Sequence, residues 1–291
     1  MKDQLVKAIA CDGHVRIYVC NTTGIINYAQ KQHDLWPTAS ATLGRVLSVA
    51  SMMGGNLKSD KEKLTITING GGPIGTVMAD AYYGGNVRGF VGEPHVHYQY
   101  NDTGKLAVGV AVGTQGYLEV KKDLGLKEEF GGQVALQNGE IGDDFAYYFA
   151  LSEQTPSVVS VGVLVDTDNT IISSGGLLIQ MLPDASEEDI EKVEAVVKTL
   201  QPMSDLIKDN VALEEIVKSL FEDAKILETT DIAFTCNCSK ERVENAIKLI
   251  DKEDLKAMIE EDHGSEVSCQ FCNKTYTFSE EELQQILDSK E

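Results

Sequence analysis

Glycine almost vanishes from the last third of this 291-residue chain: 25 of its 26 glycines precede residue 183, and only Gly264 follows. Basic residues are also few, with 25 Lys and Arg against 46 Asp and Glu, for a formal net charge of −21. The imbalance is concentrated in residues 183–291, which hold 28 acids and 12 bases. The chain therefore changes character near Pro183. No binding to nucleic acid is expected, because phosphate contacts need a basic surface. No apolar run reaches the ~18 residues of a membrane-spanning helix, so no membrane segment is expected. Residues 1–7 mix acid, amide and basic side chains without a long apolar stretch, which does not read as a secretory signal. A cytoplasmic, reducing compartment is the default, and it favours metal over structural disulfides.

Cysteine is scarce too, but its placing is informative. Four of the six stand as Cys236-Asn237-Cys238 and Cys269-Gln270-Phe271-Cys272, with 30 residues between the pairs. Each pair offers two thiolates from one short turn, and together they make the ligand set of a single tetrahedral zinc site, one Zn2+ per chain. The C-x-C half is less common than C-x-x-C, so an ordinary zinc ribbon does not follow. His263 precedes Gly264 and reads as a residue closing a helix rather than as a ligand. Cys11 and Cys20 fall in a strand-like stretch, residues 8–20, and read as buried, inert thiols.

The pattern predicts an α+β protein in three parts. Residues 1–182 form a mixed domain around a largely antiparallel sheet, 183–231 an amphipathic helical linker, and 232–291 a small four-cysteine zinc domain. In the first part, residues 15–19, 64–68, 74–83, 87–91 and 106–112 read as strands between glycine-rich turns. Helices are expected at about 36–53, 141–152 and 175–181. Gly70-Gly71-Gly72-Pro73-Ile74-Gly75 lacks the Gly-Lys-Ser/Thr ending of a phosphate loop, so a hairpin turn is the better account. Residues 152–155 read as a helix-to-strand connection. His95 and His97 alternate beside Tyr98 and Tyr100 and are expected on one strand face, with no third ligand in sight.

In the linker, Ser186 is a candidate helix cap with acids in the first turn behind it. Ile190, Val193, Val197 and Leu200 then fall at helical spacing, and Pro202 breaks the helix. A second apolar stripe runs from Leu206 to Phe221. Neither helix is long enough to stand alone in water, so something must cover the stripes. In the last part Ser239 can cap a helix, Leu255, Met258 and Ile259 mark another, 275–278 is a short strand, and Ser279-x-x-Glu282 is a capping box. About 60 residues with few large apolar side chains make a weak core, so metal binding there is folding free energy. Thiolates are what oxidants attack. Oxidation would remove the ligands and unfold the small module; the linker stripes are expected to pack on the first domain at rest, and if the module buttresses them there, its unfolding would expose them.

Several stretches resemble the heat-shock protein 33 family, the redox-regulated 33-kDa chaperonins, over the whole length: Gly71–Gly75, Val87–Gly92, Ser152–Ser157, Gly175–Gln180, Cys236–Ser239 and Cys269–Cys272. The resemblance implies an ATP-independent holdase and not an enzyme, inactive when reduced and zinc-bound, active when oxidised. It implies redox-active disulfides Cys236–Cys238 and Cys269–Cys272, the second pair sensing peroxide and the first closing afterwards. It also implies a homodimer that binds unfolded or misfolded client proteins through the linker and the adjacent surface. Two alternatives stand beside it. A thiol-disulfide oxidoreductase would need a thioredoxin-like βαβ setting around Cys269 and Cys272. A constitutive zinc-dependent protein-binding module would act alike in both redox states.

Overall fold

A computed structural model describes residues 2–290. The chain divides into two compact units, one ending at Thr235 and the other beginning at Cys236. In chain order the first unit contains β1 (Gln4–Ala10), β2 (Val15–Asn21), α1 (Thr23–His33), α2 (Pro37–Gly54), β3 (Lys63–Asn69), β4 (Val77–Tyr82), β5 (Val87–Val91), α3 (Val108–Val112), β6 (Tyr117–Asp123), β7 (Phe130–Ala135), α4 (Gly142–Leu151), β8 (Ser157–Val165), β9 (Ile171–Met181), α5 (Glu187–Thr199), α6 (Met203–Lys208), α7 (Leu213–Leu220) and β10 (Lys225–Asp231). The second unit contains α8 (Lys240–Ile247), α9 (Lys252–Glu260), β11 (Gly264–Ser268), β12 (Thr275–Ser279) and α10 (Glu280–Asp288).

Two antiparallel five-stranded sheets, ordered β10-β1-β2-β9-β8 and β5-β4-β3-β6-β7, make up the first unit. Helix α2 packs between them, and almost all of it is buried. Its sequence explains why it can be. Ala, Gly, Ser and Thr dominate it, and the buried hydroxyls are satisfied locally: Thr42 Oγ1 donates to Thr38 O (2.8 Å) and Ser48 Oγ to Gly44 O (2.8 Å). A Cβ on Gly44 would stand 2.6 Å from Val163 Cγ2, so strand β8 approaches the helix where the side chain is missing.

The first sheet is apolar on both faces. Leu5, Tyr18, Cys20 and Leu178 point to the α2 side. Val6, Ile17, Val19, Leu177 and Ile179 point to the other, where Val193, Met203, Leu213, Ile216, Val217 and Phe221 cover them. Those covering residues belong to α5, α6, α7 and the turn after α7. Ser186 and Asp189 form the capping box at the start of α5, as the sequence predicts. The cover is uneven: Val193 is buried, whereas Ile190 and Val197 of the same helix are exposed.

Several local expectations change in three dimensions. Residues 175–181 lie in strand β9, not in a helix. Their glycines admit the neighbours: a Cβ on Gly175 would be 2.1 Å from Cys20 O. Residues 106–112 contain the short helix α3 rather than a strand. His95 and His97 sit in the irregular stretch after β5, and His95 Nε2 meets Asp34 Oδ2 at 3.0 Å, so no common strand face exists. Strand β10 lies within residues 183–231 and pairs with β1, where Lys7 Nζ meets Glu228 Oε2 at 2.8 Å.

The glycine-rich turn at 70–75 joins antiparallel strands β3 and β4, and most of its N–H groups are engaged. Gly72 N–H donates to Val112 O (2.9 Å), Ile74 N–H to Ala111 O (3.0 Å), and Gly70 O accepts from Gln115 N–H (2.9 Å). Those N–H groups are not free to cradle a phosphate. A Cβ at Gly72 would stand 2.3 Å from Ala111 O, which is backbone and cannot swing away. Gly72→Ala is therefore expected to destabilise the first unit by ~1–3 kcal/mol, the range for forced overpacking. A thermal unfolding midpoint equal to the parent's would refute the close packing of these two turns.

Candidate metal centre

The four paired cysteines come together. Their sulfurs all lie within 4.8 Å of one another, with Cys236 Sγ to Cys269 Sγ at 3.7 Å and Cys238 Sγ to Cys272 Sγ at 3.4 Å. Zn–S bonds of about 2.3 Å place tetrahedral sulfurs about 3.8 Å apart, so the set is sized for such an ion.

Two local structures hold the thiols. Cys236 and Cys238 precede α8, whose first turn is capped by Ser239 Oγ accepting from Arg242 N–H at 3.2 Å. Cys269 and Cys272 occupy the tight turn between β11 and β12. There Asn273 N–H donates to Cys269 O (2.8 Å) and Cys269 N–H to Lys274 O (3.0 Å), with Asn273 in the left-handed region at φ 53°. Asn tolerates that conformation better than most residues. Backbone N–H groups of Phe271 and Cys272 bond the Cys269 sulfur, and that of Lys274 bonds the Cys272 sulfur. Such contacts stabilise thiolates and orient them.

The cluster's electrostatics fit a cation. Burial, joined by the neighbouring sulfurs, pushes the Cys272 thiol up to about 12. Burial also raises Cys269. Cys238 differs. Burial pushes its thiol up, but hydrogen bonds from the Tyr276 hydroxyl (3.2 Å) and the adjacent thiols outweigh this and hold it at about 7. Four sulfurs this close resist ionising together, and a divalent cation among them removes the obstacle.

Around the sulfurs the buried apolar cluster of the second unit consists, among the described residues, of Ile247, Leu255, Tyr276, Phe278, Leu283, Ile286 and Leu287, with Val243, Ile250, Met258, Ile259 and Val267 partly buried against it. The capping box Ser279–Glu282 starts α10, as the sequence predicts. His263 lies past α9 with φ 54°; its Nδ1 meets Glu280 Oε1 at 2.7 Å, and it is not part of the sulfur cluster. The C-x-x-C turn is a hairpin turn between two strands, not the βαβ setting of a thiol oxidoreductase. Cys11 and Cys20 are buried in the first unit, and burial first of all pushes their thiols up to about 11 and about 12. Tyr276 is the residue the spacing pattern does not reveal: its hydroxyl reaches Cys238 only because β12 folds back.

Tyr276→Phe removes a hydrogen bond to one ligand sulfur, so it is expected to weaken metal retention against a competing chelator by roughly 10-fold, the lower end for loss of an outer partner. Retention equal to the parent's would remove Tyr276 from this role.

The chain matches the family model described as Hsp33 protein over residues 3–279. It is 50% identical over 287 residues to the 33 kDa chaperonin of Bacillus licheniformis, covering 98% of this chain and 99% of that protein. It is likewise 50% identical over 287 residues to the 33 kDa chaperonin of Bacillus subtilis, covering 98% of each. The crystal structure of the 33 kDa chaperonin of Thermotoga maritima is similar with a TM-score of 0.91 at 36% identity, covering 100% of this chain and 99% of that one. A family match of this extent, and half-identical relatives along the whole length, mean that the chain belongs to the Hsp33 family.

Proposed function

We propose that this chain is a redox-regulated, ATP-independent holdase that protects unfolding proteins from aggregation during oxidative stress. It acts in the cytoplasm, without a catalytic cycle of its own, and as a homodimer once active. The observation that carries the reading is the convergence of four sulfurs in a unit whose apolar cluster has only seven buried side chains among the described residues. Cys236, Cys238, Cys269 and Cys272 would hold one Zn2+, which supplies folding free energy on the order of 10 kcal/mol to a unit of this kind.

Oxidation withdraws that support. Two thiolates join as a disulfide and pass two electrons to one peroxide, which takes up two protons and leaves as two waters. By resemblance to the family the pairs are Cys269–Cys272 first and Cys236–Cys238 second. A sulfur in a disulfide is no longer a thiolate ligand, so the second unit loses its clasp and unfolds. The linker, residues 183–231, precedes it in the chain by four residues, 232–235. Its short helices α5 to α7 depend on tertiary cover for their stability. Their release bares their own apolar stripes and the outer face of the first sheet, including Val6, Ile17 and Ile179. Unfolded clients bind apolar surface of this kind.

The test follows aggregation of a chemically unfolded client without ATP. The reduced, zinc-loaded protein is expected to be silent. Peroxide should bring activity together with release of about one zinc and loss of four thiols per chain. Replacing all four cysteines with serine should abolish zinc binding and give activity without oxidant. Equal activity of the parent in both redox states would instead identify a constitutive binding module, and turnover of small thiols an oxidoreductase.

A further inference from the structure

Strand β8 is the edge of the first sheet, and it is unlike the other edges. Its nine residues, Ser157–Val165, contain no charge and no proline, and every one is half-buried. Only β9 pairs with it; among the described residues no other backbone hydrogen bond is made by 157–165. The opposite edge, β10, carries Lys225, Glu228 and Asp231. In the second sheet β5 carries Arg88 and is bonded along its edge by residues 233–235, with Thr235 N–H donating to Val87 O at 2.8 Å. The other edge there, β7, is six residues long, contains Gly131 and Gly132, and follows Glu128 and Glu129. Charge, cover and shortness are how proteins prevent unwanted strand pairing. β8 has neither charge nor shortness: it is rich in valine and long enough to pair, and the neighbours that approach it are Gly142 of α4, where a Cβ would stand 3.3 Å from Val159 O, and Ser204 of α6 beside Gly162.

Beside β8 lies a cleft of about 670 Å³, lined by residues 160–165 of the strand, by the 99–106 loop and by residues 200–205. Arg45 also lines it, its buried Nε–H without an acceptor among the described residues.

We infer that β8 captures clients by strand addition: an extended, uncharged segment rich in β-branched residues pairs with its free edge and occupies this cleft. The inference rests on the holdase reading and names the surface and the segment chemistry. Backbone bonds to a free edge do not depend on client sequence, which suits a binder of many unfolded chains. A second copy of this chain is the poorer occupant. A two-fold pairing of β8 with β8 would bring the walls at 99–106 and 200–205 of one copy against those of the other. Residues 200–205 lie within the linker, so its release widens the cleft, and the oxidised form is the stronger binder.

The experiment uses oxidised, full-length protein and a fluorescent peptide of alternating valine and threonine. Ser160→Lys places a charge at the middle of the edge; Ser160→Thr is the uncharged control, and circular dichroism of both checks the fold. Ser160→Lys should weaken peptide binding about tenfold, equivalent to ~1.4 kcal/mol, with Ser160→Thr near the parent. A photo-crosslinker at position 160 should capture the peptide, and one at position 227 on β10 should not. Zinc release by peroxide should be the same in all variants. If Ser160→Lys binds like the parent while the parent still suppresses client aggregation, the edge proposal falls and the holdase reading stands. A crosslink from position 160 to a second copy instead of the peptide also overturns it. If the parent suppresses aggregation in neither redox state, the holdase reading falls, and the crosslink at 160 alone decides whether β8 binds extended peptide.

Discussion

Four sulfurs drawn to within 4.8 Å are the constraint on which the second unit depends. A two-stranded sheet is marginal by itself in water, and β11–β12 is such a sheet. The surrounding helices contribute few buried side chains. The sulfur cluster ties the segment before α8 to the turn of the hairpin, closing the chain over some 30 residues. Without a cation the arrangement is electrostatically awkward, because burial and mutual repulsion oppose ionising the very groups that must act as ligands. The geometry that makes the site a good ligand set also makes the apo form poorly stable.

The first unit is organised differently. Its inner layer, α2 between two sheets, uses small side chains and locally bonded hydroxyls to bring backbones close. The outer layer is three short helices on the far face of the first sheet, with Ile190 and Val197 left exposed. Polar anchors fasten it at a few points: His14 Nδ1 to Asp189 Oδ2 at 3.0 Å, and Cys11 N–H to Asp223 Oδ2 at 2.6 Å. A tightly packed interior under a thin cover gives the molecule regions of different local stability. That difference lets one part yield while another keeps its fold.

Much of this was legible along the chain because its cause is local. The helix caps at Ser186, Ser239 and Ser279 act over three residues, and all three form. The two cysteine pairs lie within turns that their own neighbours shape. The misreadings have physical causes as well. β9 is buried on both faces, so it lacks the alternation that marks a half-exposed strand, and residues 175–181 imitate a helix. Valines 108, 110 and 112 alternate like a strand, yet α3 forms, and Val110 points out to solvent while its neighbours are buried. β10 is rich in acids and threonine and shows no apolar period; it is a strand because β1 is there to pair with it.

By itself, the sequence determined the family, the metal-ligand candidates and the acidic, glycine-poor second half, since spacing, side-chain chemistry and charge are carried by the residues themselves. Tertiary structure alone decided that the two thiol pairs meet, that Tyr276 reaches Cys238, that α5 to α7 cover one face of the first sheet, and that β8 stands at its edge. Each of these depends on residues tens to hundreds of positions apart, and such contacts exist only once the chain has folded back on itself.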